Sequence, residues 1–309
     1  STLFPYTTLF RSALALLALA AVSLLAAPAW AQPADTLEKV KASGEISLGV
    51  RDSSGLGFTL GGGKYVGFHT EMAERIIDDL GKHVGKALKI NYQVITSQNR
   101  IPLMQNGTID FECGSTTNSK ARQKDVDFAV TTYVEEVRMA VKADSNIASV
   151  ADLNGKTVAT TTGTTSVQHL RRHERGAKIN FKEVMGKDHA DSFLLLESGR
   201  ADAFVMDASI LAKNISTSKN PAGYKIVGEV LSVEPIACML RKGDDKLRAA
   251  IDASIKRQIA DGSLHKLYDK WFMQPIPPNN VALNMPLSES TRAAWEHPNN
   301  KPMEDYGKK

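Results

Sequence analysis

Residues 96–122 read TSQNRIPLMQNGTIDFECGSTTNSKAR. They set Arg100 and Arg122, with Ser97, Ser115, Thr116 and Thr117, around a short apolar run at 109–111 that reads as a buried strand. A helix-like segment at 101–105 precedes the strand and stops at Asn106-Gly107. The order is a Ser/Arg loop, a short helix, a glycine turn, a strand and a Gly-Ser-Thr-Thr loop. A guanidinium is a planar fork that matches a carboxylate. Hydroxyls and loop N–H groups supply further donors. The stretch reads as a site for a small anionic molecule; the alternative is a surface loop with solvated arginines.

Upstream, a helix at 36–43 ends at Gly44, and a strand at 46–50 delivers Arg51 at its C-terminal end, where parallel α/β sheets bind ligands. Gly61-Gly62-Gly63 reads as a flexible turn, and no dinucleotide-type glycine loop is present. A helix at 68–80 spaces Met72, Ile76 and Leu80 four residues apart, and a strand at 90–95 leads to Ser97. Downstream, extended segments at 126–130 and 133–142 precede a strand at 158–160, a Thr/Gly loop at 160–166 and a helix from Val167. That arrangement turns backbone N–H groups towards an anion. His169 and His173 lie one turn apart on this helix and read as a solvated face, since the glutamate of a zinc-protease motif is absent. A strand at 179–184 leads to Lys187-Asp188-His189-Ala190-Asp191, and a strand at 203–206 ends at Asp207. Helices are expected at 192–197, 208–213, 244–259 and 264–272, with extended segments at 227 and 236–240. The tail reads as polar with scattered anchors such as Leu287 and Trp295. The run from Asn106 to Phe111 is echoed from Ser198 to Phe204, which implies two similarly built α/β units, each offering a polar loop after its strand.

Residues 1–31 carry one charge, Arg11, and residues 13–27 are Ala, Leu and Val broken only by Ser23. Ala29-Trp30-Ala31 supplies a small-x-small motif. These features predict a secretory signal peptide cleaved after Ala31 and export to the periplasm. The leading STLFPYTTLFRS reads as a translated cloning scar and is set aside. The remainder, residues 32–309, is enough for two domains of ordinary size. Lys+Arg 38 against Asp+Glu 34 gives +4, too mild to argue for a nucleic-acid partner. No ligand cluster of metal-binding spacing is evident, and neither a metal nor a cofactor is expected. Cys113 and Cys238 would meet an oxidising compartment. They form either a disulfide, which the reading favours, or two buried thiols. A bridge across 125 residues would stabilise by roughly 4–5 kcal/mol through loop closure.

The segments ITSQNRIPLMQNGTIDFECGSTTN, GTTS, KDHADSF, LESGRADAFVMD, CMLRK and DKWFMQPIPPNN, spread over residues 36–298, resemble exported solute-binding proteins for polar amino acids. They are particularly similar to the glutamate/aspartate-binding proteins of ABC importers, which have the α/β, two-lobed type II periplasmic binding protein fold. The resemblance implies two lobes joined by two crossing strands that act as a hinge. The crossings would lie near 138–142 and 237–241. One lobe would comprise 32–138 plus 242–309, the other 139–241. The resemblance also implies that Arg122 holds the ligand α-carboxylate, helped by the N–H and hydroxyl of Thr165. Asp207, Ser115 and Thr117 would meet the α-ammonium. Arg51, Arg100, Ser97 and His189 would meet the side-chain carboxylate. Independently of the family, a zwitterion with one extra carboxylate needs more cations than anions around it, and three arginines against Asp207 fit that count.

The implied ligand is L-glutamate or L-aspartate, the implied partners are the membrane subunits of an ABC importer, and a monomer is the simplest state. One departure concerns the loop after Arg51. Gly55-Leu56-Gly57-Phe58-Thr59-Leu60 stands where relatives carry a Pro-Phe-Ser-Tyr-like segment, so the lid over the ligand differs. Three readings compete. A binder of glutamine or another polar amino acid is disfavoured by the excess of arginines. A periplasmic dehydratase on the same fold could use His189 and Asp207 in acid–base chemistry, but no separate nucleophile–base pair is evident, and the chain is not expected to be an enzyme. A receptor sensing domain should carry a membrane span after the lobes, and none follows in the sequence.

Overall fold

Short apolar strands alternating with amphipathic helices build one eight-stranded mixed sheet over residues 35–306, the part of the chain that this computed structural model describes. The expected signal peptide and its cleavage site lie outside the described residues. In chain order the elements are α1 (Thr36–Ser43), β1 (Glu45–Val50), β2 (Phe58–Gly61), β3 (Lys64–Val66), α2 (Phe68–Val84), β4 (Lys89–Val94), α3 (Arg100–Gln105), β5 (Phe111–Glu112) and β6 (Val126–Lys142). Then come β7 (Thr157–Thr161), α4 (Thr165–Ala177), β8 (Lys182–Gly186), α5 (His189–Glu197), β9 (Ala203–Asp207), α6 (Ala208–Thr217) and β10 (Tyr224–Arg241). Helices α7 (Asp245–Ala260), α8 (Ser263–Tyr268) and α9 (Glu289–Glu296) close the described chain. Among the described residues no helix is long and apolar enough to cross a membrane.

The strand order is β4-β1-β5-β10-β6-β9-β7-β8. Strands β4, β1 and β5 are parallel neighbours at one end, and β9, β7 and β8 at the other. The two groups are joined by β6 and β10, which run antiparallel to each other. The architecture is thus the two-lobed α/β arrangement. In the first lobe, β1 buries Ile46, Leu48 and Val50 against α2 and the later helices α7 and α8, with Met72, Ile76, Leu247, Ile251 and Phe272 in one core. On β10, Cys238 and Leu240 face this core, while Ala237 and Met239 face a second one with Ile95, Met104 and Phe128. The alternation is the strand period of two. The second lobe is likewise covered on both faces: Ala203 and Val205 of β9 face one cluster, Phe204 and Met206 the other. Such two-sided burial is what makes parallel strands read as continuous apolar runs.

Both long strands change partners midway. Strand β10 pairs with β5 at Met239 and Leu240, while β6 pairs with β9 from Val137 to Val141. Between those pairings, Val134–Glu136 of β6 and Val233–Pro235 of β10 pair only with each other. The change of partner therefore falls several residues before the crossings expected from sequence. The segments read separately at 126–130 and 133–142 are one strand, as are those at 227 and 236–240. Cross-strand pairing carries Thr131, Glu234 and Pro235 through despite their weak strand pattern, with Thr132 at a register shift between paired neighbours. The Gly61-Gly62-Gly63 turn closes the β2–β3 hairpin.

The polar tail is also structured. Helix α9 is capped by the Ser288 hydroxyl, which accepts from the Thr291 N–H. It docks on β6 through Val134 N–H to Thr291 Oγ1 (3.1 Å) and Trp295 Nε1–H to the Thr132 carbonyl (2.9 Å). Beyond it, the Asn299 carbonyl accepts from Thr131 N–H at 2.8 Å. Cys113 and Cys238 form the disulfide, joining the end of β5 to β10.

Candidate functional site

The C-terminal ends of β1, β4 and β5 converge, as parallel strands require, and set out Arg51, Ser97 and the loop from Cys113 to Thr117 side by side. The Arg51 guanidinium, 1% exposed, donates to Ser115 Oγ (3.3 Å) and Ser97 Oγ (3.1 Å) in its own lobe. It also reaches the other lobe, donating to Asp188 Oδ1 (3.2 Å) and His189 Nε2 (2.9 Å). Arg100 opens α3 and is 2% exposed. It donates to the Ser115 carbonyl (3.1 Å) and Thr116 Oγ1 (2.7 Å), and Thr116 in turn donates to Glu112. The Nε atoms of Arg51 and Arg100 are buried without a hydrogen-bond partner. Arg122 donates to the Thr117 carbonyl (2.9 Å) and, across to the loop after β7, to the Gly163 carbonyl (3.3 Å).

Three strand ends of the second lobe face this array. The β8–α5 turn brings Asp188 and His189. Asp188 also accepts from Ser53 Oγ at 2.5 Å. An arginine cannot accept a hydrogen bond, so His189 Nε2 is the acceptor and Nδ1–H donates to Thr161 Oγ1 at 3.0 Å. Burial, reinforced by Arg51, pushes the His189 imidazole down to about 3, so it is neutral at physiological pH. In this arrangement it orients Arg51 rather than offering a proton to a carboxylate. The loop after β7 approaches closely: Gly163 has φ +81°, and a Cβ there would lie 2.7 Å from the Ser97 carbonyl oxygen. Gly55 plays a similar part in the lid, where any side chain would overlap the backbone of Ser209 on α6. Phe58 of the lid sits under Lys213 Nζ of α6, 3.9 Å from the ring centroid.

The third strand end, that of β9, carries Asp207, 2% exposed, with Oδ1 buried and unpartnered. Burial, then the like charges of Glu135 and Glu234, pushes its carboxyl well above the usual range, against the pull of Arg100 and Arg122. Thr117 of one lobe and Thr165 of the other both donate to Oε2 of Glu234 on β10, at 2.5 and 2.7 Å. His169 Nε2 lies 2.8 Å from Oε1. These bonds outweigh the effect of burial and hold the Glu234 carboxyl below the usual range.

All nine residues expected at the site thus lie in one polar cluster between the lobes. Two expectations are corrected. His169 is not on a solvated face: one turn after Thr165, it is buried against Glu234. The count of three arginines against Asp207 is also incomplete, because Glu112, Glu135 and Glu234, all fully buried, and Asp188 stand in the same region. The available signal was a charge inside an apolar strand, as in Val134-Glu135-Glu136-Val137. Among the described residues no group of three or more His, Cys, Asp or Glu side chains could hold a metal ion.

A family model described as bacterial extracellular solute-binding proteins, family 3, matches residues 46–274. The chain is 41% identical over 300 residues to the L-glutamate/L-aspartate-binding protein of Pseudomonas aeruginosa, covering 95% of this chain and 99% of that one. It is 41% identical over 295 residues to the glutamate/aspartate import solute-binding protein of Escherichia coli, covering 94% and 98%. Among solved structures, an ancestral arginine-binding protein bound to arginine superposes with a TM-score of 0.67 at 32% identity, covering 74% of this chain and 98% of that one. An ancestral amino-acid-binding protein, a precursor of cyclohexadienyl dehydratase, gives 0.66 at 28% identity, covering 76% and 99%.

Proposed function

The chain belongs to the bacterial extracellular solute-binding proteins of family 3, and we propose that within this family it captures L-glutamate or L-aspartate in the periplasm and delivers it, as a monomer, to the membrane subunits of an ABC importer. The observation that carries this reading is the convergence of Arg51, Arg100 and Arg122 on one interlobe site, with buried donor atoms of two of them unpartnered. The names of the 41%-identical relatives support the same ligand class.

In this reading Arg122 and the Thr165 N–H take the α-carboxylate. The Thr165 hydroxyl hydrogen is already given to Glu234. Thr117, whose hydrogen is also given to Glu234, keeps a lone pair for the α-ammonium beside Asp207 and Ser115. Arg51 and Arg100, with Ser97, take the side-chain carboxylate, and His189 fixes the Arg51 fork. The lobes, which change over at about 134–136 of β6 and 233–235 of β10, rotate about the paired middle of those strands. Arg51–Asp188, Ser53–Asp188 and Arg122–Gly163 are the contacts that closure makes. The test is titration calorimetry with glutamate, aspartate, glutamine, arginine and prephenate. Glutamate or aspartate should bind at least tenfold more tightly than the others. Preference for glutamine or arginine, or turnover of prephenate, would overturn the reading.

A further inference from the structure

Glu135 carries a feature that the ligand assignment above leaves unused. On the sheet, Glu234 of β10 is directly opposite Glu135 of β6, and Val137, two residues along on the same face, is directly opposite Asp207 of β9. Opposed residues, and residues two apart, share a face. Three carboxyls on three adjacent strands therefore form one row at the point where the lobes join, and all three are buried. Their partners differ. Glu234 has an imidazole and two hydroxyls. Asp207 has Arg100 and Arg122 nearby and one oxygen, Oδ1, with nothing bound. Glu135 has only neutral donors: the Ser209 hydroxyl, the Ser209 N–H at 3.4 Å and the N–H of Glu136. The charged and titratable groups that face the row are Arg100 and Arg122 towards Asp207, His169 on Glu234, and the phenols of Tyr133 and Tyr268 towards Glu135.

Like charges this close cannot all be ionised without a compensating cation. We propose that Glu135 is a second carboxyl of the ammonium subsite, that Glu135 and Asp207 together hold a proton before the amino acid arrives, and that docking of the ligand ammonium between them expels this proton. The carboxyl O–H bond of the pair breaks, the proton leaves to solvent, and the carboxylate left behind balances the ammonium. Burial, then the charge of Glu234, pushes the Glu135 carboxyl up to about 8, in line with this arrangement. The inference rests on the amino-acid-binding reading above.

Titration calorimetry of the full chain with L-glutamate, at pH 7 in phosphate and in Tris, measures the protons exchanged. Wild type should release more than about half a proton per ligand, and affinity should rise with pH between 6 and 8, by up to about tenfold per unit. Glu135→Gln should bind without release and with a flat pH profile. Glu135→Leu serves as the second variant should the amide disturb folding. Release unchanged in the variants, or glutamate binding in wild type without release, overturns the inference and leaves the ligand assignment standing. Absence of binding by glutamate and aspartate at every pH overturns both.

Discussion

Arg100→Met separates the carboxylate-binding role from mere structure. The side chain is 2% exposed and its Nη1 already satisfies the Ser115 carbonyl and Thr116 Oγ1. Methionine keeps most of the volume and removes the charge. A ligand side-chain carboxylate in the closed cleft would then lack one of its two guanidiniums. Truncating one member of a buried, hydrogen-bonded charge pair costs about 2–5 kcal/mol. That is a loss of about 30- to 5,000-fold in Kd. The Ser115 carbonyl and Thr116 also lose a partner, so some loss of fold stability is expected, and a thermal melt reports it separately. The discriminating assay is calorimetry with glutamate and glutamine side by side. Glutamine has no second carboxylate, so its affinity should change far less and the preference for glutamate should collapse. A glutamate Kd within threefold of wild type, or an equal loss for both ligands, would refute the role assigned to Arg100.

Reducing the Cys113–Cys238 bridge should lower stability by roughly 4–5 kcal/mol in urea unfolding, since it releases a 125-residue loop; an unchanged midpoint would contradict this. Burial pushes the His69 imidazole, 0% exposed, down to about 4. The unfolded chain therefore binds a proton there that the folded chain does not. Stability should fall as pH drops from about 6.5 towards 4, by roughly 3 kcal/mol for this residue, and His69→Gln should flatten that slope in urea unfolding between pH 7 and 4.5. His189→Gln should weaken glutamate binding about fivefold by loosening Arg51, roughly the net worth of one hydrogen bond, without changing its pH dependence between 6 and 8. A charged His189 imidazole in NMR at pH 6 would contradict that.

The local signals in the sequence were strong where packing and propensity agree. The helix at 36–43 has an Asp35 cap and a left-handed Gly44 stop, and it forms over those residues. Strand ends ahead of polar loops pointed to Arg51, His189 and Asp207, and all three face the site. What sequence could not show depends on tertiary pairing. Pro235 and Glu234 interrupt the strand pattern, yet β10 runs through them because β6 lies alongside. Glu135 and Glu234 carried no motif, and only the register brings them into one row with Asp207. His169 sits at a helical spacing that suits solvent equally well; what buries it is Glu234, 65 residues away. The tail helix at 289–296 gives only a weak sequence signal because its apolar residues are few, although Ser288 capping Thr291 ahead of Ala294 and Trp295 marks a legible start.

The most direct test of the central claim is a crystal structure of the chain grown with L-glutamate. Its side-chain carboxylate should lie within hydrogen-bond distance of Arg51 and Arg100, its α-carboxylate on Arg122 and the Thr165 N–H, and its ammonium between Asp207 and Glu135. A ligand bound in the reverse orientation, or bound without contact to Arg100, would contradict it.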